Sequence, residues 1–346
     1  MSGDFRVGLT RDFLKPDGTL GFGDISLGLL DVPGISYEFL AEQTRELRAD
    51  QVRDYDALIV LTARVTAASL AGAERLALVA RFGVGYDSVD VDACTANGVL
   101  LTITPDGVRR PVASSVMAFM LALSHQLLPK DRITRAGRWD DRADYVGPAV
   151  TGRTLGVIGF GNIGQDVFRL ARPFDMRFIA HDPYGSPEAA AALGVELVDL
   201  ATLLRTADFV SINCALTPET RHLINAERLA LMKPTAFLIN TARGPIVDQA
   251  ALTAALRERR IAGAGIDVFE EEPVDPNDPI LTLDNVIVTP HALPFTDEIM
   301  KGNGRGACES VLAVAAGNLP RNIVNRAVAD SPVLAAKLRR YRERRG

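Results

Sequence analysis

Apolar and polar positions alternate along the chain in two rhythms. Short apolar runs bounded by polar or glycine residues predict buried strands, and the amphipathic segments between them predict helices. Strands are predicted at 6–10, 57–61, 76–80 and 99–104, and again at 155–159, 177–182, 209–214, 236–240, 263–267 and 286–289. Helices are predicted near 37–48, 88–97, 112–128, 165–174 and 296–316. This alternation is typical of an α/β protein, and so many strands suit two open parallel sheets better than one.

The most informative segment is the glycine turn GFGNIG, which begins at Gly159 and separates a predicted strand from a predicted helix. Gly159 permits a tight turn, Gly161 lets the backbone approach a pyrophosphate, and Gly164 lets the helix pack closely on the strand. Asn162 and Ile163 lie at the start of the helix, where unpaired N–H groups favour an anion. The order strand, glycine turn, helix and strand therefore predicts a dinucleotide-binding βαβ unit.

An acidic residue ends the second strand of this unit. Asp182 lies eighteen residues after Gly164. A carboxylate at this place accepts hydrogen bonds from the adenosine ribose hydroxyls and repels a 2′-phosphate. Neither Pro183 nor Tyr184 supplies a cation that would offset this repulsion. The sequence therefore predicts NAD rather than NADP as the cofactor.

The glycine turn lies in the middle of the chain rather than near its start. It follows a long apolar helix predicted at 112–128, which itself follows a Pro-Asp-Gly break at 105–107. We therefore predict a nucleotide domain at 106–291 that is inserted into a substrate domain of 1–105 and 292–346. Both are expected to be doubly wound parallel-sheet domains of the Rossmann or flavodoxin-like type. The last long helix is expected to return and pack on the first hundred residues.

The composition of the chain indicates which classes of partner are not expected. The chain has 346 residues, of which 47% are hydrophobic and 23% charged, and its formal net charge is −5. This balance gives no reason to expect nucleic acid or an anionic membrane as a partner, and no apolar run reaches the ~18 residues of a membrane span. Cys94, Cys214 and Cys308 lack the spacing of a metal site or a disulfide framework. We expect a cytoplasmic protein without a metal site, whose arginine-rich segment 339–345 is a solvated helical tail.

Three charged or titratable residues follow consecutive predicted strands downstream of the glycine turn. Arg243, Glu272 and His291 lie after the strands at 236–240, 263–267 and 286–289. Ligands of open parallel sheets collect outside the carboxyl ends of the strands, so we expect these side chains to converge near the nicotinamide. A guanidinium binds a substrate carboxylate, an imidazole exchanges a proton, and a carboxylate orients the imidazole and favours its protonated form. Each residue alone is better explained as an ordinary surface or core residue, but their joint occurrence predicts hydride transfer to a 2-keto acid.

Along nearly its whole length, the chain resembles the family of D-isomer-specific 2-hydroxyacid dehydrogenases. The motifs that carry the resemblance are GVGYD at 83–87, GFGNIG at 159–164, LTPET at 216–220, NTARG at 240–244, DVFEEEP at 267–273 and TPH at 289–291. The resemblance implies an NAD-dependent enzyme that interconverts a 2-keto acid and a D-2-hydroxy acid. It also implies a homodimer joined through the region 112–139.

The resemblance assigns roles to individual residues. It makes His291 the acid/base, Glu272 its partner and Arg243 a substrate ligand. It implies that the Val84 and Gly85 backbone N–H groups bind the substrate carboxylate. The remaining residues that it implies for the cofactor site are Pro218, Thr241 and Asp267, the last of them at the nicotinamide carboxamide.

Some features leave the substrate and the function open. Arg109 and Arg110 are adjacent cations that would bind a second anionic group of the substrate or pair with surface acids, and the second interpretation is favoured. The segment 292–295 after the histidine is bulkier than in many relatives. An acidic partner for His291 disfavours formate oxidation. We expect no added regulatory domain of the kind that many phosphoglycerate dehydrogenases carry, because only about 25 residues follow Arg321. The alternative to an enzyme is an NAD(H)-sensing, corepressor-like protein with the same fold.

Overall fold

The computed structural model describes residues 4–345, and its internal contacts divide the chain into two units. Unit 1 comprises Met1–Val108 and Phe295–Gly346, and unit 2 comprises Arg109–Pro294. The predicted nucleotide domain, 106–291, differs from unit 2 by three residues at each end. Each unit contains its own parallel sheet.

The strands of unit 1 form a five-stranded sheet in the order β2-β1-β3-β4-β5. They are β1 Phe5–Leu9, β2 Ile35–Phe39, β3 Ala57–Val60, β4 Leu78–Arg81 and β5 Leu100–Thr102. The strands of unit 2 form a seven-stranded sheet in the order β12-β11-β10-β9-β6-β7-β8. They are β6 Thr154–Ile158, β7 Arg177–His181, β8 Val195–Leu197, β9 Phe209–Ile212, β10 Phe237–Asn240, β11 Gly263–Ile266 and β12 Val286–Val288.

Helices connect the strands, as parallel pairing requires. They are α1 Ala49–Val52, α2 Val91–Ala96, α3 Pro105–Ser124, α4 Leu127–Arg135, α5 Asn162–Ala171, α6 Pro187–Leu193, α7 Leu200–Thr206, α8 Ala226–Leu229, α9 Gln249–Arg257, α10 Asp297–Ala315 and α11 Pro332–Arg345. Short 3₁₀ turns lie at Arg11–Phe13, Leu27–Leu30, Trp139–Tyr145, Arg172–Phe174, Gly244–Ile246, Pro279–Thr282 and Arg326–Asp330. The inner strands, such as β3, β9 and β10, are buried along their whole length and are mostly apolar, whereas the edge strands β2 and β8 include polar, partly exposed residues.

Unit 1 is completed by the C-terminal part of the chain. Helices α10 and α11 belong to it, and β5 makes a backbone bridge from Thr102 to Ile323. Leu334, Lys337 and Tyr341 of α11 are buried. Helix α10 lies in the same unit as the first hundred residues, on which it was predicted to pack. The predicted tail 339–345 is helical and exposes Arg339 and Arg342, but it is not wholly solvated, because Tyr341 is buried and Arg340 pairs with Asp56. The side chains of 344 and 345 lie outside the part that is described.

Unit 2 holds two apolar layers, one on each face of its sheet. One layer packs α3, α5 and the Phe209 and Phe237 rings, which stack with centroids 5.4 Å apart. The other layer packs α7, α8 and α9 against the same strands, around residues such as Leu238 and Leu252. A sheet covered on both faces in this way is the doubly wound arrangement, so the predicted α/β fold with two parallel-sheet domains is confirmed.

Each predicted strand overlaps an observed one, but two local predictions are wrong and one edge strand was not predicted. The segment 37–48 was expected to be helical, whereas Ile35–Phe39 is the edge strand β2 and pairs with β1. An edge strand is only half covered, so its polar positions imitate an amphipathic helix. The edge strand Val195–Leu197 was not predicted, since three residues carry too little periodicity. The break expected at Pro105 is instead the start of α3. Proline is tolerated there because the N–H groups of the first helical residues make no hydrogen bond within the helix.

Within residues 4–345, no single helix is long and apolar enough to cross a bilayer. Helices α3 and α4 pass a test of length and composition only when taken together, and a 57° bend separates them.

Candidate active site

The sheet order of unit 2 places the three predicted chemical residues on neighbouring strands. Strands β10, β11 and β12 are adjacent and parallel, so their carboxyl ends meet at one edge. Arg243 follows β10, Glu272 lies in the turn after β11, and His291 follows β12. The three strands that are consecutive in the sequence are therefore also neighbours in the sheet, and the residues that follow them lie at the same edge.

His291 and Glu272 form a hydrogen-bonded pair. The His291 Nδ1 atom lies 2.8 Å from Glu272 Oε2, and the other carboxylate oxygen accepts the Phe269 N–H at 3.0 Å. Burial of the Glu272 carboxyl opposes ionisation. The His291 hydrogen bond and charge, the Phe269 N–H and the nearby Arg243 outweigh that burial and lower the pKa of Glu272. Because an ionised carboxylate only accepts hydrogen bonds, Nδ1 carries a proton and Nε2 is directed to other partners.

The backbone at His291 is held in an unusual conformation by Asp267. His291 has a φ of 53°, in the left-handed region that non-glycine residues seldom adopt. The buried Asp267 Oδ1 accepts hydrogen bonds from Thr289 Oγ1 at 2.6 Å and from the Ala292 and Leu293 N–H groups at 2.9 and 3.0 Å. Burial raises the pKa of Asp267, although these donors and the His291 charge act against it. Asp267 therefore fixes the turn that presents the imidazole.

The segment that carries Arg243 packs directly on the turn that carries Glu272. A Cβ added to Gly244 would lie 1.8 Å from the Phe269 carbonyl oxygen, so only glycine permits this approach. Arg243 Nη1 donates to the Ala242 carbonyl at 2.8 Å, and the guanidinium is near enough to Glu272 to lower its pKa. The guanidinium is half-buried, as a group that binds an anion in a partly desolvated site requires.

The glycine turn of unit 2 has the geometry of a nucleotide site. Gly159 has a φ of 96°, and its missing Cβ would lie 2.6 Å from the Cys214 N atom. A Cβ on Gly164 would lie 2.2 Å from the Gly159 carbonyl oxygen, which is the close helix–strand packing expected of the third glycine. Gly161 caps α5 without a side-chain hydrogen bond, and the space beside it is open for 4 Å. Asn162 and Ile163 begin the helix at this open space.

Asp182 connects the end of β7 to the glycine turn. Its Oδ2 atom accepts the Phe160 N–H at 2.8 Å, and Oδ1 accepts the Tyr184 N–H at 2.9 Å. Both contacts use backbone donors, so the carboxylate keeps lone pairs for further hydrogen bonds. An acid beside the open space of the glycine turn matches the position expected for a ribose ligand.

Two buried polar atoms lie at the same edge of the sheet. Thr241 Oγ1, after β10, and Asn213 Oδ1, after β9, have no hydrogen-bond partner within residues 4–345. Buried polar atoms without partners are rare in folded proteins, so they indicate a group that the chain itself does not supply. Together with the open space at Gly161, these atoms fit a bound dinucleotide. When bound, NAD accepts or donates a hydride at its nicotinamide ring.

Other predicted residues lie elsewhere. Val84 and Gly85 follow β4 in unit 1, and their contact with a substrate carboxylate stays a prediction. Pro218 is exposed in the turn that follows β9. Arg109 forms a two-pronged ion pair with Asp166, with N–O distances of 2.7 and 3.0 Å. This pairing favours the interpretation in which Arg109 binds an acid of the protein rather than the substrate.

A second histidine–glutamate pair, which was not predicted from the sequence, lies in this region. His222 Nε2 lies 2.5 Å from Glu270 Oε1, and the two residues are 48 positions apart. Glu270 is two residues from Glu272, in the acidic run FEEEP. The run of adjacent glutamates could have indicated this pair, because partly buried carboxylates at a strand end require positively charged partners.

Comparison with known proteins identifies the class to which this fold and site belong. Residues 117–292 match the model of the D-isomer specific 2-hydroxyacid dehydrogenase NAD binding domain. A glyoxylate reductase from Thermococcus onnurineus is 42% identical over 296 residues, which cover 84% of this chain and 88% of that protein. A D-3-phosphoglycerate dehydrogenase from Methanocaldococcus jannaschii is 42% identical over 284 residues, which cover 82% of this chain but 54% of that protein.

A solved structure agrees with these relatives. The crystal structure of D-lactate dehydrogenase from Aquifex aeolicus, complexed with NAD and lactic acid, is 27% identical with a TM-score of 0.80. The match covers 92% of this chain and 99% of that one. The fold, the matching family model and the named relatives define an NAD-dependent dehydrogenase. The chain belongs to the D-isomer specific 2-hydroxyacid dehydrogenase family. It is an oxidoreductase that acts on a CH–OH group.

Proposed function

We propose that this enzyme reduces a small 2-keto acid to a D-2-hydroxy acid with His291 as the proton donor. The observation that carries the proposal is the 2.8 Å hydrogen bond between His291 Nδ1 and Glu272 Oε2. It commits Nδ1 to the carboxylate and leaves Nε2 to give a proton to the substrate oxygen. In the reverse direction the neutral ring takes that proton back.

Arg243 is the proposed ligand of the substrate carboxylate. Its guanidinium follows β10 beside Glu272, and a planar fork of donors matches a carboxylate in two hydrogen bonds. Bound in this way, the guanidinium also polarises the neighbouring keto oxygen. Glu272 keeps the imidazole in the required tautomer and stabilises its charged form. These roles require Arg243, Glu272 and His291 to lie close together, and adjacent parallel strands provide that arrangement.

NAD rather than NADP is the proposed natural cofactor form. Asp182 lies beside the open space at Gly161 and carries a negative charge that disfavours a 2′-phosphate. We assign the phosphates to Gly159, Gly161 and the N-terminus of α5. Thr241 and Asp267 are the proposed contacts nearer the nicotinamide.

The proposed substrate is glyoxylate or a 2-keto acid of similar size. The relatives named glyoxylate reductase support this choice, and the pairing of Arg109 with Asp166 removes one candidate ligand for a second anionic group. Arg110 is exposed, and replacing it with alanine tests the remaining candidate. An unchanged KM for phosphorylated or diacid substrates in Arg110→Ala is expected.

The test is NADH oxidation followed at 340 nm. The panel contains glyoxylate, hydroxypyruvate, pyruvate, phenylpyruvate, 2-ketoglutarate and phosphohydroxypyruvate, with NADPH in parallel. We expect turnover of the smaller keto acids with NADH. In Arg243→Ala, kcat/KM should fall by about three orders of magnitude while NADH affinity stays nearly constant. Tight NADH binding without turnover of any of these keto acids would contradict the proposed substrates and favour an unusual substrate or an NAD(H)-sensing role.

We also propose a homodimer formed through the region 112–139 and the segment after it. Leu127, Trp139 and Val146 are 56%, 64% and 84% exposed, which is unusual for large apolar side chains so close along one chain. Analytical ultracentrifugation is expected to give a dimer that Trp139→Asp weakens. A monomeric wild-type protein at micromolar concentration would refute this assembly.

A further inference from the structure

The turn that carries Glu272 also carries the second histidine–glutamate pair, which the proposed reaction does not use. Glu270 Oε1 lies 2.5 Å from His222 Nε2 and 3.6 Å from Arg221 Nη2. The Glu270 side chain is 26% exposed and that of His222 is 39% exposed, so the pair is partly shielded from water. A pair of this kind is held more firmly than an exposed one.

Glu270 is tied to a second element by two further hydrogen bonds. Its backbone N–H donates to Gln249 Oε1 at 2.9 Å, and its Oε2 accepts the Gln249 N–H at 3.3 Å. Gln249 is the first residue of α9, and its own side chain donates to Asp278 at 2.7 Å. Glu270 therefore joins the loop after β9, the start of α9 and the turn after β11.

His222 reaches Glu270 from a backbone conformation that costs energy. Its φ is 50°, in the left-handed region, and its N–H donates to the Pro245 carbonyl at 2.8 Å. Pro245 follows Arg243 by two residues, next to the glycine that packs on the Phe269 carbonyl. A non-glycine residue stays in this region only where surrounding contacts hold it. The His222 loop thus touches both segments that carry the proposed chemistry.

We propose that His222 and Glu270 are positioning residues that set the distance between Glu272 and His291. The proposal rests on the proposed function of that pair. The connection is short: Glu270 fixes the turn, the adjacent Phe269 N–H holds Glu272 Oε1, and Oε2 is then directed at His291 Nδ1. Removing the His222 contact frees the turn, so the Glu272 carboxylate spends less time beside the imidazole.

The experiment compares four variants with the wild type. His222→Ala and Glu270→Ala remove the pair, and His222→Gln keeps a donor in the place of Nε2. The matched control is Glu196→Ala, which breaks the exposed Arg177–Glu196 pair, whose N–O distance is 2.7 Å. The first readout is the pH titration of the imidazoles in ¹⁵N-histidine-labelled protein by NMR. The chain has four histidines, and the His291 signal is assigned by its absence in His291→Asn.

In His222→Ala and Glu270→Ala, the midpoint of the His291 titration is expected to move to lower pH than in the wild type, because the displaced carboxylate stabilises the imidazolium less. The kcat for glyoxylate reduction should fall roughly 10-fold, with a smaller change in KM, because the acid/base is misplaced rather than the substrate. His222→Gln should restore most of both values. Glu196→Ala should match the wild type.

Two results would overturn the proposal. One is an unchanged His291 titration in folded His222→Ala and Glu270→Ala, whatever happens to kcat, since a purely structural pair would lower activity without moving it. The other is a failure of His222→Gln to restore the titration. Circular dichroism melting identifies a variant that does not fold, and the milder Glu270→Gln, which keeps the size of the side chain and removes the charge that binds His222, then replaces it in the comparison. The proposed function fails separately, if His291→Asn keeps full turnover.

Discussion

At the scale of single residues, the charge on Glu272 controls the proton on His291. The pKa of Glu272 is lowered against the effect of burial, so the carboxylate is ionised throughout the neutral range. A negative charge 2.8 Å from the ring favours its protonated form, and reduction of a keto acid requires that form. The alkaline limit of the reduction reaction is therefore set in part by this pair.

Glu272→Gln keeps the shape of the side chain and removes its charge. The ring then needs a lower pH to stay protonated, so the alkaline limb of kcat/KM for reduction is expected to move toward acid by about one unit. The pH profile of NADH-dependent reduction measures it. Glu271→Gln is the matched control, because Glu271 is an exposed neighbour in the same acidic run. Equal profiles for Glu272→Gln and the wild type would count against the pairing.

At the scale of elements, glycine decides how closely two turns approach. The turn after β10 and the turn after β11 touch where Gly244 meets the Phe269 carbonyl. Because the clash of an added Cβ would be with backbone atoms, no rotamer change relieves it. Arg243 and Glu272 are thereby kept in register by a residue that has no side chain.

Gly244→Ala is expected to destabilise the protein by about 3 kcal/mol and to lower activity strongly, since the two turns must separate. Urea unfolding and kcat measure these effects. Gly161→Ala is an informative contrast, because the space within 4 Å of its Cβ is empty and its φ is −74°. It should unfold like the wild type and still bind NADH more weakly. Equal unfolding curves for Gly244→Ala and the wild type would contradict the close approach.

Elements could be predicted from the sequence wherever both faces of a strand are covered. Val157 and Leu238 lie in such strands and are fully buried, so continuous apolar runs mark them. The edge strand that begins at Ile35 was not predicted, because its stability comes from pairing with Phe5, thirty residues away. Local periodicity contains no information about such a partner.

The candidate site could likewise be predicted only where it depends on local sequence and strand order. Arg243, Glu272 and His291 could be predicted because their strand ends are neighbours in any parallel sheet of this order. An acidic partner for Arg109 was favoured from the sequence, but its identity as Asp166 could not be predicted, and neither could the pair of His222 with Glu270, since 57 and 48 residues separate the partners. Nor does a sequence reveal that Asp267 accepts three hydrogen bonds from the His291 turn, which depends on a left-handed φ.

At the scale of the whole molecule, the two ends of the chain meet in unit 1 around one buried acid. Asp56 has no exposed surface, and it accepts the Arg6 N–H at 2.9 Å and Arg75 Nη2 at 2.5 Å. Helix α11 adds the Tyr341 hydroxyl at 3.1 Å and Arg340 Nη2 at 3.4 Å. The chain leaves unit 1 at Val108 and re-enters it at Phe295, so this contact fastens the returning segment to the first.

Asp56→Ala should therefore destabilise the fold far more than the loss of an exposed ion pair. It leaves two arginines, a tyrosine hydroxyl and a backbone N–H without their shared acceptor, and the expected cost is about 3 to 5 kcal/mol. Glu38→Ala is the matched control, because Glu38 binds Arg6 at 2.8 Å on the surface, where a pair contributes about 0 to 1 kcal/mol. Urea unfolding followed by circular dichroism compares the two. Similar midpoints for both variants would mean that α11 is held by its apolar face alone, through Leu334 and Leu338.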